Sequence, residues 1–290
     1  MPGLKPKPHP EVYRLQLVRV LQANLAQSRP AAAQWLAANP NTFVVVSWTY
    51  LFYGTYRDIA LDLPGIERLL AHQGPSEQDR RELEAWPRRL MRFAHIVGDA
   101  LPVLGRRIAQ PATRLQMHEA TRYLRDRDGI GTAIRALVRA ELDAAWAARD
   151  RVLLLGHSLG SVIAYDTLWD FSHEGRTEHV DLFVTMGSPL ATRFIRRRMR
   201  GAGLAGPSAY PRNIRRWVNL SARGDTTALQ PRLKPSFHEM LDLGLTASIE
   251  DYVDLENYFR GTLGLNAHEA YGYLAQRSAA EVIGDWLERT

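Results

Sequence analysis

The stretch Gly156-His157-Ser158-Leu159-Gly160 decides the fold, because it has the form Gly-x-Ser-x-Gly and lies between an apolar run and an amphipathic segment. Val152 to Leu155 has the length and composition of a buried strand, and Ser161 to Phe171 carries apolar residues at helical spacing. Strand, sharp turn and helix are the context of a nucleophile elbow, whose strained turn exposes the serine hydroxyl. Glycines two residues before and after the serine are expected because side chains there would collide with neighbouring backbone. Ser158 is therefore the candidate nucleophile; the alternative is a glycine-rich turn that contains a serine by chance.

The composition of the 290 residues is that of an ordinary globular protein, and a hydrophobic content of 46% supplies a sizeable core. With no cysteine, disulfides, thiol catalysis and cysteine-ligated zinc are excluded, so the nucleophile must be an oxygen. The net charge of +6 comes mostly from arginine and is interpreted as solvated helix faces. The start of the chain lacks a signal-peptide core, and no apolar run approaches the roughly 18 to 20 residues of a membrane span. We expect a cytoplasmic protein without a transmembrane segment.

Strands and helices alternate along much of the chain. The predicted strands are Phe43 to Trp48, Val152 to Leu155, Val180 to Met186 and Ile214 to Leu220. Helices are predicted over Val12 to Leu25, from Pro30 to just before Asn39-Pro40, over Ile130 to Ala148, and over Ala279 to Leu287. This alternation predicts an α/β fold with a doubly wound, mostly parallel sheet. No repeat or low-complexity linker divides the chain, so residues 1–290 are expected to form a single domain.

The segment from Tyr50 to Gln110 shows no strand pattern and is predicted to be a helical insertion. Ser76 followed by Asp79 resembles a capping box. Apolar residues then continue on one helical face, with a kink expected at Pro87: Leu83, Trp86, Leu90, Phe93 and Val97. We expect this insertion to cover the elbow and to form an apolar acyl pocket from Trp86, Leu90 and Phe93.

A serine hydroxyl needs a base, which is usually a histidine held by a carboxylate, and around such an elbow the chain order is serine, acid, histidine. The strand that ends at Leu220 is followed by Ser221-Ala222-Arg223-Gly224-Asp225. Asp225 then lies in a loop at the same sheet edge as Ser158 and is the candidate acid. The alternative is an aspartate that only caps the turn after Gly224.

Four histidines follow Ser158, and two of them, His173 and His179, fall at the wrong edge of the predicted sheet. His268 lies just before the closing helix, where a loop can return to the elbow, and is the preferred base. His238 remains the rival. His157 is next to the nucleophile and is interpreted as structural.

Two competing motifs are rejected on their context. Gly201 to Gly206 matches the dinucleotide fingerprint Gly-x-Gly-x-x-Gly, but a basic segment precedes it, and Pro207 and Pro211 interrupt the helix that should follow. The His-Glu pairs lack the i, i+4 histidine spacing of a helical zinc site. We therefore expect no metal, no cofactor and no nucleic-acid partner.

The elbow Gly156 to Gly160, Gly187-Ser188-Pro189, Asp225 and His268 together resemble the α/β-hydrolase superfamily, especially its lipase-like and esterase-like members. The resemblance implies a catalytic triad of Ser158, Asp225 and His268, with the backbone amide of Leu159 in the oxyanion hole. It implies a serine hydrolase that cleaves a carboxylic ester or related acyl compound, such as a lipid, through an acyl-enzyme without a cofactor. Two alternatives stay open: a non-catalytic binding or scaffold protein on the same fold, and an acyltransferase.

The resemblance also bears on the start of the chain, because these hydrolases usually place a central strand before an oxyanion loop. Pro2-Gly3-Leu4-Lys5 resembles that loop with no strand ahead of it. The expectation is that one N-terminal strand is missing, that residues 2–6 lie near Ser158, and that Leu4 supplies the second oxyanion amide. In the alternative, Phe43 to Trp48 is the central strand and the turn from Ser47 to Tyr50 supplies that amide.

Overall fold

The structure, a computed structural model, describes residues 1–72, 74–85 and 111–289, with residues 111–117 described by their backbone alone. The described chain is an α/β fold around a four-stranded parallel sheet. The strands follow one another in space as in sequence: β1 (Leu153–His157), β2 (Val180–Met186), β3 (Ile214–Ala222) and β4 (Ser248–Leu255). A short antiparallel pair, β5 (Arg260–Gly261) and β6 (Gly264–Leu265), follows the sheet.

Helices surround this sheet along the chain. Those before β1 are α1 (Pro10–Ser28), α2 (Pro30–Ala38), α3 (Thr49–Tyr53), α4 (Leu63–Ala71), α5 (Glu77–Glu84), α6 (Pro111–Leu124) and α7 (Ile130–Ala147). Those after β1 are α8 (Leu159–His173), α9 (Arg193–Arg196), α10 (Lys234–Asp242), α11 (Ala270–Leu274) and α12 (Arg277–Leu287). Short 3₁₀ turns lie at Pro40–Thr42, Ile59–Leu61, Arg127–Gly129 and Gly206–Ala209.

Alternate strand residues point to opposite sides of the sheet, and buried apolar clusters lie on both faces. Side chains from all four strands line up across one face, where α7, α8 and α10 pack: Leu154, Phe183, Trp217 and Ile249. Val184 and Val218 lie side by side on the other face, which packs with α1, α11 and α12. Burial on both faces explains why β1 and β2, and β3 from Trp217 onward, are mostly apolar in the sequence, whereas β4 is partly exposed and carries several acidic residues.

Most of the predicted elements are confirmed, within a few residues, by α1, α2, α7, α12 and the first three strands. The strand predicted over Phe43 to Trp48 is wrong, since residues 43–48 form no strand. Met1 instead occupies the free edge of β1. Its amino group donates to the carbonyl of Leu155 (2.9 Å), and its carbonyl accepts from the N–H of His157 (3.0 Å). Apolar side chains alone do not make a strand when another segment takes the backbone groups that it would pair with.

The predicted insertion is helical where the structure describes it, in α3, α4 and α5. The capping box is confirmed, since the side chain of Ser76 accepts from the N–H of Asp79 while the Asp79 carboxylate accepts from the N–H of Ser76. Trp86, Pro87, Leu90, Phe93 and Val97 lie outside the described residues.

Asp79 connects this capping box to two other segments. Its carboxylate, fully buried, also accepts from Arg68 (2.7 Å) and from Arg260 in β5 (2.8 Å). Burial alone would raise the pKa of Asp79, but the hydrogen bonds from Ser76, Arg68 and Arg260 outweigh it and lower the pKa to about 2.

We expect Asp79→Asn to lower the free energy of unfolding at neutral pH by about 2 kcal/mol, because lowering a pKa by one stabilises the charged form by about 1.4 kcal/mol. A carboxylate with a lowered pKa stabilises the fold above the unfolded pKa of about 4, and this stability is lost as the pH falls toward 2. Urea unfolding between neutral and acidic pH should therefore show a smaller acid loss in the variant. The control is Glu77→Gln on the exposed side of the same helix, and equal effects of the two substitutions would contradict the expectation.

Candidate active site

Ser158 occupies the sharp turn between β1 and α8, as the sequence predicts. Its φ of 54° and ψ of −129° lie in a region that residues other than glycine rarely adopt. Such a conformation costs of order 1–3 kcal/mol and persists only where its surroundings enforce it. Here the N–H of Ser158 donates to the carbonyl of Met186 at the end of β2 (2.9 Å), so the neighbouring strand holds the turn.

The two glycines of the motif are required by close backbone contacts. A Cβ atom on Gly156 would lie 2.7 Å from Cα of Ser161, and one on Gly160 would lie 2.6 Å from the carbonyl oxygen of Met1. Both distances are shorter than real Cβ contacts. The elbow therefore excludes side chains at these two positions, which confirms the reason expected from the sequence.

Two buried hydroxyl groups stabilise the turn at Ser158 by hydrogen bonds. Ser161, in the first turn of α8, donates to the carbonyl of Ser158 (2.6 Å), and its Oγ lies 2.7 Å from Oγ of Ser188. Both side chains are buried. Ser188 belongs to the loop after β2, so these hydrogen bonds connect the turn at Ser158 with the neighbouring strand end.

Asp225 lies in the loop directly after β3 and is hydrogen-bonded to His268, as the chain order predicts. Nδ1 of His268 is 2.8 Å from Oδ2 of Asp225. A carboxylate only accepts hydrogen bonds, so the His268 proton is assigned to Nδ1, which leaves a lone pair on Nε2. The side chain of Asp225 is fully buried whereas that of His268 is 25% exposed, so the imidazole reaches toward solvent from a buried carboxylate.

Asp225 has a full set of donors. Tyr273 Oη donates to Oδ2 (2.7 Å), and the backbone N–H groups of Thr227 (2.8 Å) and Ala228 (3.3 Å) donate to Oδ1. Burial alone would raise the pKa of Asp225, but the attraction of His268 and these hydrogen bonds outweigh it and lower the pKa. The carboxylate is therefore ionised at neutral pH and can stabilise a positive charge on His268.

Gly187, directly after β2, makes room for this pair. Its φ is 55°, and a Cβ atom there would lie 2.6 Å from Oδ2 of Asp225 and 3.0 Å from Nδ1 of His268. Only a residue without a side chain fits between the ends of β1 and β3. The sequence places Gly187 after a strand but carries no sign that Asp225 and His268 pack directly on it.

His268 also lies next to the elbow. Its ring centroid is 4.7 Å from that of His157, the residue before Ser158. The three residues predicted from the sequence, Ser158, Asp225 and His268, are thus brought to the same edge of the sheet. His238 is not among them, because it is exposed on α10 and hydrogen-bonded to Asp242 (2.9 Å).

The start of the chain packs against Ser158, as expected. A Cβ atom on Gly3 would lie 2.6 Å from Cβ and 3.1 Å from Oγ of Ser158. Lys5 follows with a φ of 74°, and its N–H donates to Oη of Tyr53 (2.9 Å). Leu159 is the first residue of α8, where amides have no acceptor within the helix. The oxyanion roles of Leu4 and Leu159 remain predictions.

Two further sequence motifs form no site in the part of the chain that the structure describes. Gly201 to Gly206 lies in turns and the start of a 3₁₀ turn, without the strand and helix that a dinucleotide would need. Within the described residues, no group of three or more histidine and acidic side chains could hold a metal. A cavity of about 810 Å³ is lined by α1, α12, β3 and β4 residues such as Asn24, Arg216 and Glu250, and none of the three site residues lines it. The acyl pocket predicted from Trp86, Leu90 and Phe93 lies outside the described residues.

None of the described helices combines the length and the apolar character needed to cross a bilayer.

Comparison of the chain with protein-family models, with characterised proteins and with solved structures finds no match.

Replacing the hydroxyl of Tyr273 should destabilise the fold, because it joins two buried groups. Tyr273 Oη donates to Asp225 and accepts from the N–H of Ala222 (3.0 Å). In Tyr273→Phe, the N–H of Ala222 loses its acceptor and the carboxylate of Asp225 loses one donor. We expect a loss of about 1–3 kcal/mol in the free energy of unfolding measured with urea.

Tyr271→Phe is the matched control. Tyr271 is equally buried, and its hydroxyl has no hydrogen-bond partner within the described part of the chain. Its loss should not lower the free energy of unfolding, because no hydrogen bond among the described residues is broken and an unpaired buried hydroxyl is removed. Similar losses in the two variants would show that the hydroxyl of Tyr273 does not hold Asp225.

Proposed function

We propose that this protein is a serine hydrolase on a doubly wound α/β-hydrolase fold and cleaves a carboxylic ester or a related acyl compound. One observation carries the proposal: a serine with a positive φ lies in a strand-to-helix turn, at the same sheet edge as a buried aspartate hydrogen-bonded to a histidine. The parallel sheet with both faces covered by helices, and the helical segment before α6, agree with that fold.

In the first half of the reaction, Oγ of Ser158 attacks the acyl carbonyl while Nε2 of His268 takes the hydroxyl proton. Asp225 keeps the proton on Nδ1 of His268 and stabilises the imidazolium that forms. The amides of Leu159 and Leu4 donate to the oxyanion of the tetrahedral intermediate. As the intermediate collapses, His268 gives the proton to the leaving alcohol, and an acyl ester remains on Ser158.

In the second half, His268 takes a proton from water, whose oxygen attacks the acyl ester. Collapse of the second intermediate returns the proton to Oγ of Ser158 and releases the carboxylic acid. The cycle uses no cofactor.

The nucleophile is tested by Ser158→Ala. We expect turnover of short acyl esters to fall by about 10³-fold or more, and covalent labelling by a fluorophosphonate probe to disappear. Ser221→Ala is the control, because Ser221 is also buried and its hydroxyl has no partner within the described residues. Activity of Ser158→Ala within about tenfold of the parent would rule out the proposed nucleophile.

The same assay distinguishes the hydrolase from the two alternatives, an acyltransferase and a non-catalytic binding or scaffold protein, by the products formed and by the activity of the parent protein. Ester products formed with added alcohols in preference to the free acid would indicate an acyltransferase. A parent protein that neither turns over esters nor reacts with the probe would favour a binding or scaffold role.

The base is tested by comparing two histidines. His268→Ala should reduce turnover by several powers of ten, because the serine then lacks a base. His238→Ala should keep turnover within about twofold, since this exposed side chain is hydrogen-bonded to Asp242 on its own helix. The reverse ranking would transfer the role of base to His238.

A further inference from the structure

We propose that His157 is a positioning residue that holds the backbone of His268 and thereby fixes the base relative to the nucleophile. This inference rests on the proposed function and assigns a role to the side chain that precedes Ser158. Its central observation is a contact of 2.6 Å between Nε2 of His157 and the carbonyl oxygen of His268.

The direction of this hydrogen bond follows from its partners. A backbone carbonyl only accepts, so Nε2 of His157 carries the proton and Nδ1 is bare. Nδ1 has no hydrogen-bond partner within the described residues, and a Cβ atom on Gly3 would lie 3.1 Å from it. His157 is only 3% exposed. Within the described residues its ring therefore makes a single hydrogen bond, to the backbone of the loop that carries His268.

Three hydrogen bonds fix His268, and each acts on a different group. Its N–H donates to Oδ1 of Asn266 within the same loop (3.1 Å), and its ring is bonded to Asp225. The bond from His157 to its carbonyl is the one that ties this loop to the strand of the nucleophile. His157 is itself fixed as the last residue of β1, where it pairs with Met186 of β2.

The environment of His157 keeps its ring neutral. Burial lowers its pKa well below the usual value, and repulsion from Lys7 and from His268 whenever that ring is protonated lowers it further. Neutrality suits the proposed role, because the two rings are close and a charged His157 would oppose the imidazolium that forms on His268. An apolar side chain of similar size would fill the same space but would leave the His268 carbonyl without its donor.

A displacement of about 1 Å at a reacting group can cost about 10²-fold in rate, so loss of this bond should act on catalysis more than on binding. We expect His157→Leu to lower kcat about 10- to 100-fold while KM changes less than about twofold. Glutamine keeps an N–H donor, so His157→Gln should recover kcat to within about fivefold of the parent. Circular dichroism of both variants tests whether they fold.

Several kinetic results would overturn the inference: parental kcat in His157→Leu, or equal impairment of the leucine and glutamine variants. A rise in KM without a fall in kcat would also overturn it, because that pattern indicates altered substrate binding. If the parent itself shows no Ser158-dependent turnover, it is the proposed function that fails.

Nuclear magnetic resonance of the parent with ¹⁵N-labelled histidine tests the contact without activity. The expected spectrum shows His157 as the neutral tautomer protonated on Nε2 between about pH 5 and 8. In His157→Leu, the Nδ1 proton of His268 should exchange faster with water, because the loop is less constrained. A parent His157 protonated on Nδ1, or an unchanged exchange rate in the leucine variant, would contradict the tether whatever the kinetics show.

Discussion

The spacing of parallel strands is the constraint on which the candidate site depends. β1, β2 and β3 lie side by side in sequence order, so Ser158, Gly187 and Asp225 follow neighbouring strand ends. Strands about 4.8 Å apart separate the first of these ends from the third by about 10 Å, which is too far for direct contact between serine and aspartate. The imidazole of His268 packs on Asp225 between these strand ends only because Gly187 has no side chain, since a Cβ atom there would lie 3.0 Å from Nδ1 of His268.

Features set by local sequence could be predicted. The strand-to-helix turn at Ser158 follows from the spacing of its glycines and from the apolar runs around it, and the position of Asp225 follows from the end of the preceding strand. The direction of parallel strands set aside His173 and His179, and the position of His268 in a loop just before the closing helix gave the preference over His238. The first two inferences use information that lies within a few residues of the position concerned, and the choice of histidine adds only the order of the elements along the chain.

Features set by tertiary contacts could not be predicted in this way. Residues 43–48 have the apolar pattern of a strand, but the chain start takes the pairing groups of β1. The sequence did not predict α10, because no neighbouring residue caps its start. Instead, the carboxylate of Asp251 in β4 accepts from the N–H groups of Leu233 and Lys234. β4 itself is a partly exposed strand with several acidic residues, so its apolar signal is weak. The role of Tyr273 depends on an acid far away in sequence.

The contact between Gly3 and Ser158 has a consequence for how the chain folds. It joins segments that are far apart in sequence, and such contacts form late because closing a long loop costs entropy before any interaction compensates it. The strained conformation of Ser158 also requires the hydrogen bond to β2, so an incomplete sheet leaves this serine free to relax. A chain that has not finished folding would therefore carry Ser158 in an ordinary conformation, and the reactivity proposed for it would arise only once these long-range contacts have formed.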